Sequence, residues 1–380
     1  MPEPTTPSPQ ELADLLRARA RELDFTLFGI APADPPLHAQ AFKSWLEAGH
    51  AAEMGYLAGN AERRLDPRLV VLGARSLICV AVSYNPGPLP NAASTEGQIA
   101  RYARSLDYHN VLLPKLNSLV EHLRQVAGRP VEARAYVDTG PVLERDAAVR
   151  AGLGWFGKNT CLIHPRHGSY LLLGAVITDL ELPPDARTGS HCGTCSRCLT
   201  GCPTGAFVGP YVLDSRRCIS YLTIELKGPI PRELRPLIGN WVFGCDICQE
   251  VCPHNRKAPP GDWPELAQRP VTSLPQLTAL LALTPEEFRR DFRGTPIERT
   301  KRRGLLRNVA VALGNSGDPS VVPNLAEALG DAEPLVRGHS AWALVRLGGT
   351  QARTALRERL VEETDTYVLE ELRLAMEDLP

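Results

Sequence analysis

Residues 191–205 read His-Cys-Gly-Thr-Cys-Ser-Arg-Cys-Leu-Thr-Gly-Cys-Pro-Thr-Gly, with cysteines at Cys192, Cys195, Cys198 and Cys202 and a proline at Pro203. Two-residue gaps let a tight loop wrap three irons of a cubane cluster. The fourth cysteine, three residues on and before proline, points to a neighbouring cluster. A second run, Cys245, Cys248, Cys252 and Pro253, repeats the pattern with one cysteine fewer, and Cys218 lies between the two runs. The crossed rule assigns Cys192, Cys195, Cys198 and Cys252 to one [4Fe-4S] cluster, and Cys202, Cys218, Cys245 and Cys248 to the other. Paired C-x-x-C sequences also build zinc ribbons. A three-residue gap followed by proline, occurring twice, is something zinc ribbons do not need, so iron–sulfur ligation is the stronger reading.

Working outward, eight of the ten cysteines fall between Cys192 and Cys252. No basic-then-apolar leader opens the chain, and such clustering favours metal over disulfides. Cys79 sits in the apolar run 77–82 and reads as a buried strand residue; Cys161, after Lys158-Asn159-Thr160, also reads as packing. The chain has 380 residues, 43% hydrophobic and 22% charged, with a net charge of −1. That length points to two or three domains. The charge balance gives no global reason to expect nucleic acid, so local runs must decide. No apolar stretch is long enough to span a bilayer. A cytoplasmic, monomeric protein is expected.

Ser8-Pro9-Gln10-Glu11 is a capping box with proline at the first helical position. Apolar runs at 26–30, 77–83, 133–137 and 170–178 read as strands, and 111–126 and 141–151 as helices. The alternation predicts an α/β or α+β domain over residues 1–182. Residues 183–260 form the two-cluster domain, closed by Pro259-Pro260-Gly261. In residues 261–380 helical periodicity takes over. Val336 and Ala343 recur as Val368 and Ala375, and Leu325 and Leu329 as Leu356 and Leu360. A repeat of about thirty residues is the mark of a short HEAT-like α-solenoid; an unrelated helical bundle is the plainer alternative.

A ferredoxin-type module needs only a fraction of this chain, so the N-terminal region needs a purpose. In Arg134-Ala-Tyr-Val-Asp-Thr-Gly-Pro-Val-Leu-Glu-Arg145, Asp138 stands at the end of a strand, where sheets build sites. The plain alternative is a helix cap, with Asp138 or Thr139 satisfying free amides before Pro141. The glycine-rich stretch 152–159 matches neither a Walker A sequence nor a dinucleotide fingerprint. Arg299-Thr-Lys-Arg-Arg-Gly-Leu-Leu-Arg307 carries Arg299, Lys301, Arg302, Arg303 and Arg307 and no acid, a set suited to phosphate contacts. A solvated helix face is the alternative there.

Several stretches together resemble the epoxyqueuosine reductase family: Tyr136–Arg145, Gly154-Trp-Phe-Gly-Lys-Asn159, Ala103-Arg-Ser-Leu-Asp-Tyr-His109, both cysteine runs, Cys218-Ile-Ser-Tyr221 and the HEAT-like tail. The resemblance covers about residues 10–255 plus the tail. It implies an α+β chain with a nitroreductase-like cobalamin-binding domain, a ferredoxin-like domain and an α-solenoid. It further implies reduction of epoxyqueuosine to queuosine on tRNA, with electrons passing from two clusters to cobalamin. Asp138 matches the family's proposed proton donor, and such a carboxyl would need a raised pKa. Arg145 matches a cofactor-contacting position, Asn159 lies in the matching glycine-rich loop, and Arg64 and Arg101 fall in less closely matching regions. An electron donor is implied but not identified. Two other readings compete: a reductase of small molecules like the reductive dehalogenases, and an electron-transfer scaffold without catalysis. The basic run and solenoid argue against the first, and Asp138 with its large surrounding domain against the second.

Overall fold

The structure is a computed structural model that describes residues 7–88, 90 and 92–377. Helix α1 (Pro9–Glu22) opens with the expected box: Ser8 Oγ accepts from the Glu11 N–H, and Glu11 accepts from the Ser8 N–H at 2.7 Å. Four strands follow where the apolar runs lie, β1 (Leu27–Pro32), β2 (Ser76–Ser83), β3 (Ala133–Tyr136) and β4 (Leu171–Thr178). They form one sheet in the order β1-β2-β4-β3. Every neighbouring pair is antiparallel. The N-terminal domain is therefore α+β, and its α/β reading is corrected. Alternating strands and helices do not encode strand direction, because a long connection can return a strand from either end.

The period-2 alternation of β2 sorts its side chains to two faces. Ile78, Val80 and Val82 join Leu12, Leu16, Leu112 and Leu116 from α1 and α2 (Tyr108–Val126). Leu77, Cys79 and Ala81 join Ala147, Ala148 and Ala151 at α3 (Glu144–Arg150). Cys79 is thus the buried strand residue expected of it. Against β1, α3 leaves no room for a side chain: a Cβ on Gly29 would lie 2.0 Å from the Ala151 carbonyl oxygen. Helix α3 begins at Glu144 rather than Pro141, which frees residues 138–143 as a loop.

The C-terminal helices α4 (Lys301–Asn315), α5 (Val322–Ala328), α6 (Pro334–Leu347), α7 (Gly349–Glu362) and α8 (Thr366–Glu377) stack in two rows. The inner row is α4, α6, α8, and the outer row is α5, α7. The recurring Val336, Ala343, Val368 and Ala375 are fully buried in the inner row. That row is not a free appendage. Its core is continuous with Ile219–Phe243 and with Ile99 and Ala103, and Asn308 Nδ2 donates to the carbonyls of Thr223 and Val242, each at 2.8 Å. Packing also crosses the expected domain boundaries elsewhere: Trp241–Phe243 pairs in parallel with Gln98–Ile99, and Trp263 Nε1 donates to the Asp24 carbonyl at 2.7 Å. Among the described residues no helix is long and apolar enough to cross a membrane.

Candidate active site and cluster centres

Cys192, Cys195, Cys198 and Cys252 line one cavity, with Ile163 and Lys158 at its wall. The loop between the first two is held by Lys158 Nζ, which donates to the carbonyls of Gly193 (2.8 Å) and Cys195 (2.9 Å). Trp155 packs edge-on against both His191 and His254 at 4.9 Å. Burial is the main influence raising the pKa of the Cys198, Cys252, Cys218 and Cys245 thiols, and the neighbouring thiols that raise them further fall into two sets, apart from Cys161, which bears on both Cys252 and Cys218. Cys198 feels Cys252 and Cys192, and Cys252 feels Cys192 and Cys195. Cys218 feels Cys202, and Cys245 feels Cys218 and Cys202. The fold brings Cys252 to the first run and Cys202 to the second, as crossed ligation requires, and the four-thiol cavity fits a cubane cluster.

Cys161 is not simple packing. The Cys248 thiol is the largest influence on the pKa of Cys161, lowering it, and Cys161 in turn raises that of Cys248, which puts a ninth sulfur beside the second centre. Asn159 braces the same loop: Nδ2 donates to the Cys248 carbonyl and Oδ1 accepts from the Cys161 N–H, both at 3.3 Å. Only 3% exposed, Asn159 offers a cofactor little surface. Arg101 is largely committed, although its Nε has no hydrogen-bond partner among the described residues and lies 3.8 Å from Asp246 Oδ2. Its N–H donates to Asp246 at 2.7 Å, and its guanidinium reaches Glu250 at 3.2 Å while stacking over Tyr170 at 4.6 Å. Arg145 donates to the Thr160 carbonyl at 2.5 Å and lies over Phe156. Arg64 is buried, and although one guanidinium nitrogen donates to the Val142 carbonyl at 3.3 Å, its Nε has no partner among the described residues.

Asp138 does not cap a helix. It stands in the left-handed region at φ 58°, a conformation unusual for a residue with a side chain. Its N–H donates to Glu144 Oε1 at 2.7 Å, and its Oδ2 accepts from the Tyr108 hydroxyl at 2.8 Å. His109 Nε2 lies 3.5 Å from the same oxygen, an ion-pair distance rather than a formed hydrogen bond, while Nδ1 is 2.6 Å from Asp107 Oδ1. The Tyr108 and His109 rings stack at 4.1 Å. The Asp138 side chain remains 52% exposed.

The electrostatics reverse one expectation. Burial pushes the Asp138 carboxyl up, but His109 and Tyr108 at its oxygens and the charge of Arg299 outweigh that and hold it below its usual value. Burial works against protonating His109, yet Asp107 and Asp138 raise it to about 9. Burial, reinforced by the Asp138 charge, lifts Glu144 to about 8. In this state the site proton resides on His109, with Asp138 ionised beside it. Tyr56, exposed, feels Glu225, Asp138, Arg299 and Arg64, so the open side of Asp138 lies where the N-terminal domain, the cysteine region and the solenoid entrance meet.

The basic run divides. Arg307 is 1% exposed and donates to the carbonyls of Leu226 (2.8 Å), Gly228 (2.6 Å) and Leu222 (2.7 Å). Its reading as a phosphate contact is corrected: α4 turns it into the protein, where it satisfies backbone acceptors. Arg302 is held by Asp331 at 2.6 Å and by the Leu283 carbonyl. Arg299 faces Glu225 at 4.0 Å and contributes to the Asp138 field. Lys301 is exposed, Arg303 half-buried, and neither has an acidic partner among the described residues. Sequence reasoning assigned no role to Tyr108, His109, Glu144 or Tyr56. Asp107-Tyr-His109 was visible as a motif, but nothing in its spacing indicates that it meets Asp138.

Three family models match the chain: "Epoxyqueuosine reductase QueG, DUF1730" over residues 64–139, "4Fe-4S double cluster binding domain" over 191–255 and "HEAT repeats" over 299–377. An epoxyqueuosine reductase of Pseudomonas aeruginosa is 44% identical, the match covering 90% of this chain and 97% of that one. A crystal structure of epoxyqueuosine reductase with an epoxyqueuosine-modified tRNA-Tyr stem loop is similar at TM-score 0.89 and 33% identity, covering 97% of this chain and 99% of that one. A Bacillus subtilis epoxyqueuosine reductase, with its catalytic aspartate loop swung out of the active site, matches at TM-score 0.88 and 32% identity with the same coverage.

Proposed function

Because the chain belongs to the epoxyqueuosine reductase family, we propose that it reduces epoxyqueuosine to queuosine at the wobble position of tRNA, with Asp138 delivering the proton to the departing oxygen. The observation that carries the assignment is the half-open Asp138 carboxyl, hydrogen-bonded by Tyr108 and backed by His109. Removing the oxirane oxygen as water requires two electrons and two protons. The two [4Fe-4S] centres are suited to deliver the electrons singly; the Asp138–His109 pair stores one proton where oxygen leaves, and the second comes from solvent as His109 is reprotonated.

Cobalamin supplies, when bound, low-valent cobalt that passes the electrons to the oxirane. The residues present fit such a group at one edge. Arg64 Nε is buried without a partner, and the open face of Asp138 adjoins it through Glu144; an amide-fringed corrin offers acceptors for the guanidinium. Arg64, Arg145 and Asp138 would hold it, while Arg101 and Asn159 brace the second cluster's loops beside it. Covering Asp138 removes the water that stabilises its carboxylate. The proton then moves from His109 Nε2 to Asp138, and a carboxylic acid faces the reacting oxygen. Asp107 keeps the imidazole oriented, and Glu144 holds the loop in its left-handed turn.

On the RNA side, Lys301 and Arg303 lie in the first turn of α4, where the helix dipole opposes cations and favours phosphate. With Arg299 they form the phosphate-binding edge nearest Asp138. The same reading places the enzyme in the cytoplasm as a monomer. Nucleoside mass spectrometry of tRNA from a deletion strain tests the assignment: epoxyqueuosine should accumulate, and complementation with Asp138→Asn should not clear it. Normal queuosine in a strain lacking any second reductase overturns it.

A further inference from the structure

The cavity of the first cluster is lined from three short chain segments, 158–163, 191–198 and 252–254. They contain Lys158 and Arg197 and no Asp or Glu, and the stretches flanking them add Arg166, Arg187, Arg256 and Lys257 before the chain reaches Asp179, Asp185, Glu250 or Asp262. In a protein of net charge −1 that is a marked local asymmetry. Arg166, Arg197, Arg256 and Lys257 are exposed, and none has an acidic partner among the described residues. The Arg166 turn and the Arg256–Lys257 strip are neighbours, because the Ser169 N–H donates to Asn255 Oδ1 at 2.7 Å. Arg197 and His254 both line the cavity itself.

This centre is the outer of the two. Cys218 and Cys245 pack against the main core of the molecule, whereas Cys192 and Cys252 belong to a small separate cluster with Trp155 and Ile163. Electrons bound for the reacting centre beside Asp138 therefore have a surface entrance at the first centre, and cations lie around that entrance.

We propose that this ring is the docking surface for the electron donor, and that the donor is an acidic one-electron redox protein. Each encounter passes one electron from the partner's cofactor to the centre held by Cys192, Cys195, Cys198 and Cys252. The partner is oxidised by one electron, no bond forms or breaks, and no proton moves. Encounters of this kind are small, transient and steered by charge rather than by apolar burial. An RNA backbone is the other polyanion the ring could attract. It is disfavoured because RNA lying here would cover the electron entrance, while Arg299, whose charge reaches Asp138, and the unpaired Lys301 and Arg303 offer phosphate contacts at the solenoid entrance.

The test uses cluster-loaded protein and follows bleaching of the iron–sulfur absorbance in a stopped-flow instrument. Reduced flavodoxin serves as the acidic donor and the methyl viologen radical cation as its opposite. In the double variant Arg256→Glu/Lys257→Glu, reduction by flavodoxin should slow roughly tenfold at low salt. The difference should vanish as ionic strength shortens the Debye length to about 3 Å near 1 M. Reduction by methyl viologen should be unchanged or faster. Arg166→Glu, on an exposed turn away from the ligands, should give a smaller effect of the same sign and guards against loss of clusters in the double variant. A flavodoxin rate unchanged in both variants overturns the proposal. So does a fall in tRNA stem-loop affinity matching the fall in flavodoxin rate, which would assign the ring to RNA.

Discussion

His109 Nε2 approaches Asp138 Oδ2 to 3.5 Å while its other ring nitrogen lies 2.6 Å from Asp107 Oδ1. The imidazole is thus aligned between two carboxyls, one structural and one open to the site. The arrangement resembles the orienting logic of an acid–base pair, in which one acceptor sets the ring and the other exchanges the proton. In the function proposed above, this pairing makes Asp138 refillable from His109 rather than a lone carboxylic acid.

The pH dependence follows from the direction of those shifts. His109 is raised to about 9, so its proton is bound at neutral pH and lost as pH rises through about 9. Single-turnover reduction measured with a chemical reductant should therefore hold through neutral pH and fall above about 9. In His109→Gln that alkaline limb should move or disappear, with a slower plateau, while cluster content stays the same. An unchanged profile in the variant would remove His109 from the proton path.

Asp138→Asn keeps the shape but removes the carboxylate that takes up the His109 proton and passes it on. Turnover should fall by roughly 10²–10⁴-fold, with iron content and stem-loop affinity preserved. Glu144→Gln tests the neighbouring carboxyl differently. Glu144 is raised to about 8, well above its unfolded value, so the folded protein binds a proton there that the unfolded chain does not between about 4.5 and 8. Stability then declines as pH rises through that window. The amide mimics the protonated form, so Glu144→Gln should melt higher than the parent at pH 8.5 and show no such gain at pH 5.

Crossed ligation makes an uneven prediction about adjacent cysteines. Cys248 and Cys252 are four residues apart, yet Cys252 faces the cavity of Cys192, Cys195 and Cys198. Cys252→Ser should impair the outer centre and Cys248→Ser the inner one, each lowering iron by about half when the affected cubane is lost. Electron paramagnetic resonance of the reduced variants should show two different surviving signals. Identical residual spectra would contradict the crossed assignment.

Residues of the basic run should behave in two ways. Arg307→Ala leaves several buried carbonyls without a donor and should destabilise the fold by about 3 kcal/mol or more, read as a fall in Tm with lost expression. Lys301→Ala and Arg303→Ala should leave Tm unchanged. They should weaken stem-loop binding and each reduce the slope of log Kd against log salt by about one.

What was legible in the sequence was local. The cysteine spacing sorted eight thiols into two sets because ligand geometry around a cubane is fixed by gaps of two and three residues. The four strands were visible because each is a short apolar run of strand length set between helical patterns, and the capping box because it closes within one turn. The solenoid repeated its own apolar pattern. None of this required knowing what lies across the fold. Strand direction, the meeting of Asp107, His109 and Asp138, and the contact of Cys161 with Cys248 were decided by tertiary structure, since each joins residues that no sequence period links. The basic run shows the division most clearly. Read as a string, Arg299 to Arg307 is one patch; in the fold, α4 enters the molecule within its first turn, so Lys301 at its start stays exposed, Arg303 is half-buried and Arg307 lies in the core. Composition set the charge of those side chains, and packing alone determined which of them can still meet a phosphate.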